Sequence, residues 1–177
     1  MPGGETVPVS FDEVYESHFD FVWRSLRRLG VPVPLLDDAT QEVFLVVHRR
    51  LLHFERRSSI KTWLFGIAIN VSQHATRTVA RQSVSRLPAI ESAPEPTPQE
   101  NAIRAEAVRL LYRVLNQLEV ERRTAFVMAE LEQMSAPEIA EATGWELNTV
   151  YSRLRLARRD FEAALKRIRA RDERRER

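Results

Sequence analysis

Apolar residues recur three and four positions apart along most of the chain, and sustained alternation with period two is missing, so the pattern predicts helices rather than strands. Phe11, Val14, Tyr15, Phe19, Val22, Leu26 and Leu29 form one such stripe, which Gly30, Pro32 and Pro34 bring to a stop. Asp37 and Asp38 open a second helix with Ala39, Val43, Val46, Val47 and Leu51 on its apolar face. A loop around Phe54–Ser59 follows, with Ser58 or Ser59 as the cap of a third helix. That helix runs from near Ile60 to about Arg81, and Leu64, Ile67, Ala68, Val71 and Ala75 form its core stripe.

Residues 84–100 break the pattern. They hold four prolines (Pro88, Pro94, Pro96, Pro98), three acids and few large apolar groups, and they read as an extended linker. At ~3.1 Å per residue such a stretch spans roughly 50 Å. Helical periodicity resumes with Ile103, Ala107, Leu110, Leu111, Val114 and Leu118 on a helix from about Asn101 to Leu118. A further helix covers roughly Glu121 to Leu131. The reading is therefore all-α, with two small helical domains, 11–83 and 101–171, joined by a flexible linker, 84–100. No repeat of 20–50 residues accompanies them.

The most informative stretch begins at Ser135. Ser135-Ala-Pro-Glu138 is a capping box with proline in the first turn. Ile139, Ala140 and Ala142 follow, then Gly144, which suits a turn with positive φ. Asn148 or Thr149 can cap the next helix. A short helix, a glycine-containing turn and a longer helix (Asn148–Arg169) make a helix-turn-helix. In the longer helix Val150, Leu154, Ala157, Phe161, Leu165 and Ile168 must face the core. Tyr151, Ser152, Arg155, Arg158 and Arg159 then face outward, with Thr149 at the tip. Between Thr149 and Arg159 there are four arginines and no acid, the character of a recognition helix that meets base edges and phosphates. A solvated face of an ordinary helical hairpin gives a similar pattern. The tail Arg169–Arg177 alternates charges and reads as a fraying helix end.

Composition narrows the classes. Net charge over the 177 residues is only +2, so its placement matters more than its sum. Two of the 27 basic residues are lysine, the rest arginine, whose planar fork grips phosphate and guanine; codon bias toward arginine gives the same excess. The absence of cysteine excludes a disulfide framework, a thiolate zinc site and a cysteine nucleophile. No apolar run approaches the ~20 residues of a membrane span, and Met1–Glu16 lacks the layout of a secretory signal, so the expectation is a cytoplasmic protein without membrane insertion. His18, His48, His53 and His74 lack metal-ligand spacing, and no nucleophile-elbow or P-loop motif occurs. No catalytic residue, metal or cofactor is expected.

The third helix carries a second candidate nucleic-acid face. Thr62, Gly66, Asn70, Gln73, Arg77 and Arg81 lie opposite its apolar stripe. Lys61, Trp63 and Phe65 stand at its start, just after Phe54 and the basic pair Arg56–Arg57. Aromatic, basic and amide groups interleaved in this way suit unstacked single-stranded bases. Phe65 reads as core, whereas Trp63 suits either role. The Asn70 amide is of the type that reads base edges.

DDATQEVFLVVHRRLLHF (37–54) followed by SSIKTWLFGIAIN (58–70) resembles region 2 of the bacterial RNA polymerase sigma factors of the extracytoplasmic-function (ECF) group. LNQLEVERRTAFVMAELEQMSAPEIAEATGWELNTVYSRLRLARRDF (115–161) resembles their region 4. The resemblance covers the chain from about Phe11 to Leu165 and implies a transcription initiation factor. It implies that Asp38, Gln41, Glu42 and Leu45 dock on the β′ clamp helices of core polymerase. It implies that the Phe54–Ile60 loop, with Phe54, Arg57 and Ser58, the adjoining Lys61, and Asn70 capture a flipped base of the −10 element. Trp63, His74, Arg77 and Arg81 then lie along the nontemplate strand. Region 4 is implied to bind the β flap and to set Asn148, Thr149, Tyr151, Ser152, Arg153, Arg155, Arg158 and Arg159 in the −35 major groove. The linker is implied to thread toward the RNA exit path, and an anti-sigma factor is an implied partner. Tyr151, Leu156, Gly66 and Glu119–Val120 depart from the residues common in the family, which bears on which promoter bases are read. Two other readings compete: a stand-alone helix-turn-helix regulator and an anti-sigma-binding adaptor. The first would need a sensor or dimerisation domain, and the second an acidic or neutral region 4 face.

Overall fold

The computed structural model describes residues 10–82 and 98–175, with side chains over 10–77 and 104–174. The proposed linker residues 84–97 and the side chain of Arg81 lie outside that description. Among the described residues there are helices and turns and no strand. The first three helices are α1 (Phe11–Arg28), α2 (Leu36–Arg50) and α3 (Ile60–Gln82), which pack on one another. The rest are α4 (Pro98–Leu115), α5 (Val120–Phe126), α6 (Ala136–Thr143) and α7 (Leu147–Arg175). Here α7 is the hub, packing on α4, α5 and α6.

Most of the stripe residues read from the sequence form the core, whereas Tyr15 and Ala107 of the same stripes are exposed. Val14, Val22 and Leu26 of α1, Val43 and Val47 of α2, and Leu64, Ala68 and Val71 of α3 are buried together. Phe65 is buried as read, and Ile69 joins it, because α3 is covered on more than one side. In the second half Val150, Leu154, Ala157 and Ile168 of α7 meet Val114, Leu118 and Ile139. Ser59 caps α3 through its hydroxyl, which accepts from the Thr62 N–H at 3.1 Å.

Three boundaries differ from the periodicity. Helix α4 stops at Leu115, and Gln117 and Leu118 close tighter turns onto the carbonyls of Val114 and Leu115 at 2.9 and 3.1 Å. Glu119 then caps α5, its carboxylate accepting from the N–H groups of Glu121 and Arg122 at 3.2 and 3.3 Å. The expected single helix to Leu131 is α5 followed by a widened π turn over Val127–Leu131. That turn brings Val127 and Met128 into the core, which local periodicity does not report. Helix α7 starts at Leu147, and the Val150 N–H bonds the Glu146 carbonyl at 3.0 Å, so Glu146 stands at the cap position rather than Asn148 or Thr149.

The tail does not end where its charges alternate. Helix α7 runs on to Arg175, and Asp172 accepts two hydrogen bonds from Arg113 of α4, at 2.8 and 2.9 Å. That carboxylate holds the Arg113 guanidinium above its ordinary pKa.

The two halves touch. Helix α6 lies on α3. Arg28 at the end of α1 pairs with Glu132. The Arg27 guanidinium sits 4.4 Å from the ring centre of Tyr112 on α4. Buried hydrophobic residues of both halves form one connected cluster.

Candidate nucleic-acid and polymerase interfaces

Three outward surfaces carry the residues singled out from the sequence. The first is on α2. Asp38, Gln41, Glu42 and Leu45 follow one another at helical spacing and all four are exposed. Leu45 is 56% exposed, although Phe44 beside it is buried. An exposed leucine with Gln41 and Glu42 one turn before it and His48 and Arg49 one turn after it is an apolar spot in a polar surface, suited to a partner helix.

The second surface joins the turn after α2 to α3. Phe54 and Trp63 lie against each other with ring centres 4.9 Å apart, and both are half-buried. They line a shallow cleft of about 190 Å³ together with Arg56, Arg57 and Ser58. Arg56 holds a φ of 53°, a left-handed conformation that costs a non-glycine residue and persists where surrounding structure fixes it. Arg57 pairs with Glu55 at 2.5 Å. Lys61 is exposed, with its ammonium 5.8 Å from the Phe21 ring centre. Asn70 is exposed and donates to the Gly66 carbonyl at 3.1 Å, a bond within its own helix. His74 and Arg77 are exposed further along, with His74 4.0 Å from Glu42 on α2. Aromatic platform, basic groups and amide thus share one edge of the first half.

One part of that face differs from the sequence reading. Thr62 and Gly66 do not face outward, because α6 covers them. Thr62 is 1% exposed, and a Cβ on Gly66 would stand 3.1 Å from the Ala142 carbonyl of α6.

The third surface is the helix-turn-helix. The Glu138 carboxylate accepts from the Ser135 N–H at 2.9 Å and from its hydroxyl at 2.7 Å. These bonds hold Glu138 below the ordinary carboxylate pKa. Gly144 takes φ +71° at the turn. On α7, Asn148, Tyr151, Ser152, Arg155, Arg158 and Arg159 are exposed, while Thr149 and Arg153 are half-buried. Arg153 lies 3.9 Å from the centre of the Trp145 ring and pairs with Glu121. Arg158 pairs with Glu130 at 2.8 Å, and Arg159 with Asp160 at 3.1 Å. Arg122 pairs with Asp160 at 2.5 Å and is the main reason the Asp160 carboxyl sits below its ordinary pKa. Arg155 and Tyr151, one turn apart on this helix, are both exposed.

Sequence reasoning missed residues that the tertiary structure brings to these surfaces. Glu141 of α6 lines the Phe54–Trp63 cleft. Arg123, Glu132 and Tyr112 form contacts across the two halves. None has a local signature, since the partners that each meets lie far away in sequence.

Residues 14–82 match the family model for Sigma-70 region 2, and residues 109–161 match the model for Sigma-70, region 4. The ECF RNA polymerase sigma-E factor of Escherichia coli (strain K12) is 31% identical over 144 residues, covering 76% of this chain and 75% of that protein. The ECF RNA polymerase sigma factor SigE of Mycolicibacterium smegmatis is 28% identical over 166 residues, covering 90% of this chain and 63% of that protein. The sigma factor RpoE of Bartonella quintana, solved in complex with the anti-sigma factor NepR, has a similar fold. It aligns with a TM-score of 0.71 at 21% identity, over 88% of this chain and 96% of that one.

Proposed function

The chain belongs to the ECF group of the sigma-70 family, and from that premise we propose that it binds core RNA polymerase and directs it to specific promoters. The observation that carries the reading is that both modules stand on one chain in family order, each with a polar face toward solvent. We place the −10 module at 11–83, the tether at 84–100, whose last residues, Pro98–Glu100, already form the first turn of α4, and the −35 module at 101–171.

The division of labour follows from the side chains. Asp38, Gln41, Glu42 and Leu45 dock on the β′ clamp helices. Phe54, Arg57, Ser58, Lys61, Trp63, Asn70, His74, Arg77 and Arg81 engage the −10 element. Opening the duplex costs a few kcal/mol per unstacked base, offset by stacking and pocket contacts. The Phe54–Trp63 platform supplies the stacking surface. Asn148, Thr149, Tyr151, Ser152, Arg153, Arg155, Arg158 and Arg159 meet the −35 duplex, where phosphate contacts position the helix and base contacts specify. The second module also meets the β flap. The work is binding and strand separation, and no covalent step falls to this chain.

An anti-sigma factor is the regulatory partner. The exposed Leu45 surface is the part such a partner would cover to exclude polymerase. The place of action is that of core polymerase, the cytoplasm.

The deciding experiment adds purified protein to bacterial core polymerase and maps start sites on a fragmented genomic library. Discrete starts that share two spaced upstream motifs are the expected result. Absence of both polymerase association and start sites would overturn the proposal in favour of a stand-alone helix-turn-helix regulator or an adaptor.

A further inference from the structure

The seam between α4 and α7 holds a cleft that belongs to none of the three surfaces described above. Its volume is about 520 Å³, and it is lined by Arg113, Asn116 and Gln117 of α4 and by Arg167, Ile168 and Arg171 of α7. Arg113 meets Asp172 and Gln117 meets Arg167, so the two helices run antiparallel and face each other across the seam. Ile168 is 4% exposed and gives the cleft an apolar floor. The rest of the lining is guanidinium and amide.

The charges of this lining do not balance. Asp172 stands beside the cleft, and both of its carboxylate oxygens are bonded to Arg113, at 2.8 and 2.9 Å. Among the described residues no carboxylate pairs with Arg167 or Arg171. Arg167 donates instead to the Gln117 amide oxygen at 3.3 Å. Arg167 and Arg171 are exposed and one turn apart on α7, a spacing at which like charges repel. An anion set between them offsets that repulsion. Guanidinium forks match phosphate oxygens two at a time, and the amides of Asn116 and Gln117 are further donors. The volume suits a ligand of nucleotide size.

We propose that the α4–α7 cleft binds a small ligand carrying two or more linked phosphates, held by Arg167 and Arg171 with Arg113 across the seam. The cleft is separate from the −35 face. Arg167 and Arg171 stand roughly 120° and 160° around the axis of α7 from Arg155, and Arg167 lies about 18 Å further along it. Ligand and duplex can therefore be bound together. A ligand that bridges α4 and α7 braces the helix that carries the recognition residues, and it stabilises the second half by mass action.

The test titrates the full chain with inorganic tripolyphosphate and with adenosine triphosphate in a calorimeter, at one physiological ionic strength. One-to-one binding is expected. Arg167→Gln together with Arg171→Gln should weaken it roughly ten-fold or more, since two charge-assisted contacts are lost. Lys166→Gln together with Arg169→Gln removes the same charge from exposed positions of the same turns outside the cleft, and should leave affinity nearly unchanged. Asp172→Asn releases Arg113 and should tighten binding roughly two- to five-fold, a gain that no unfolded variant gives. Equal affinity for the two probes would assign recognition to the phosphates alone, and tighter binding of the nucleotide would seat its base on Ile168; both support the site. Absence of binding by either probe overturns the proposal. Equal losses in the two double variants overturn it as well, because the attraction is then diffuse. If neither small probe binds but Arg167→Gln with Arg171→Gln abolishes binding to duplex of unrelated sequence, the cleft is a nucleic-acid backbone contact and not a ligand site. Affinity of that variant for the selected −35 duplex should match the wild type, so failure of the ligand site leaves the promoter role standing.

Discussion

Nη1 of Arg123 lies 1.9 Å from the point where a Cβ on Gly30 would stand. Gly30 ends α1 with φ +99°, a conformation that costs other residues roughly 1–2 kcal/mol. The open side of this glycine is what admits the guanidinium of the other half. Arg123 is half-buried, has no carboxylate bonded to it among the described residues, and bonds main-chain carbonyls of Leu29 and Leu118 at 3.3 and 3.1 Å. Its burial lowers its pKa, although Glu119 works against that shift. Gly30→Ala is therefore expected to lower stability by about 1–2 kcal/mol in urea unfolding. Part of the loss should vanish when Arg123→Ala is already present, since the steric conflict is then gone. Equal losses in both backgrounds would assign the whole effect to backbone strain.

The arginines of α7 are not equivalent, and their pairing ranks them. Arg153 and Arg158 already hold Glu121 and Glu130. Arg155 stands exposed one turn from Tyr151, itself 56% exposed. Arg155→Ala should weaken binding to the selected −35 duplex by ~1–3 kcal/mol and relax specificity at one base pair. Arg158→Ala should cost less and act evenly across sequences, as a phosphate contact does. Fluorescence anisotropy against a set of single-base variants separates the two. A change of a few tenths for Arg155 would place it on a merely solvated face.

The contrast between Ser135 and Arg123 shows what a sequence makes legible. Ser135, Glu138 and Gly144 act within a few residues of one another, so the helix-turn-helix could be read directly from their spacing. Leu45 and Asn70 were legible as outward residues because the apolar stripe fixes the opposite face of each helix. Thr62 and Gly66 obeyed the same rule and are nevertheless covered, because their cover comes from a helix some 70 residues away in sequence. The π turn over Val127–Leu131 was hidden for a related reason. It is favoured by what Val127 and Met128 bury, not by local propensity. The contacts between the halves leave no periodic trace at all.

Asn70 offers a clean separation of function from folding. Its side-chain amide donates to the Gly66 carbonyl within the same helix, and the side chain is exposed. Removing it leaves no buried group unpaired, so Asn70→Ala should shift the unfolding midpoint little. Open-complex formation, followed by permanganate reactivity of the melted strand, should fall markedly while affinity for core polymerase holds. Lost affinity for core polymerase would contradict a base-reading role.

Leu45→Asp is expected to do the reverse. Leu45 is exposed, so the substitution creates no cavity and the fold should persist. Truncating a central apolar anchor costs more than about 1 kcal/mol, and a carboxylate buried in its place adds a desolvation cost, so affinity for core polymerase should drop roughly ten-fold or more. Binding to isolated −35 duplex should not change. An unaltered polymerase affinity in a co-migration assay would move the docking surface away from α2.

Asp160 gives a pH signature with a defined sign. Its hydrogen bond to Arg122 favours the ionised carboxylate and holds the folded-state pKa below the ordinary value. Below its unfolded pKa the unfolded chain takes up the proton first, so stability falls with falling pH through that range. The contribution is complete above the ordinary carboxylate pKa and is lost as pH falls through the depressed folded value. Asp160→Asn should therefore be less stable than the wild type at neutral pH. The two urea midpoints should draw together as pH falls below the ordinary carboxylate range. Added salt should narrow the gap only partly at neutral pH, because Asp160 is half-buried while Arg159 is exposed. A gap that stays constant across pH would mean that the amide loses packing rather than charge, and that the Arg122 contact is not electrostatic in origin.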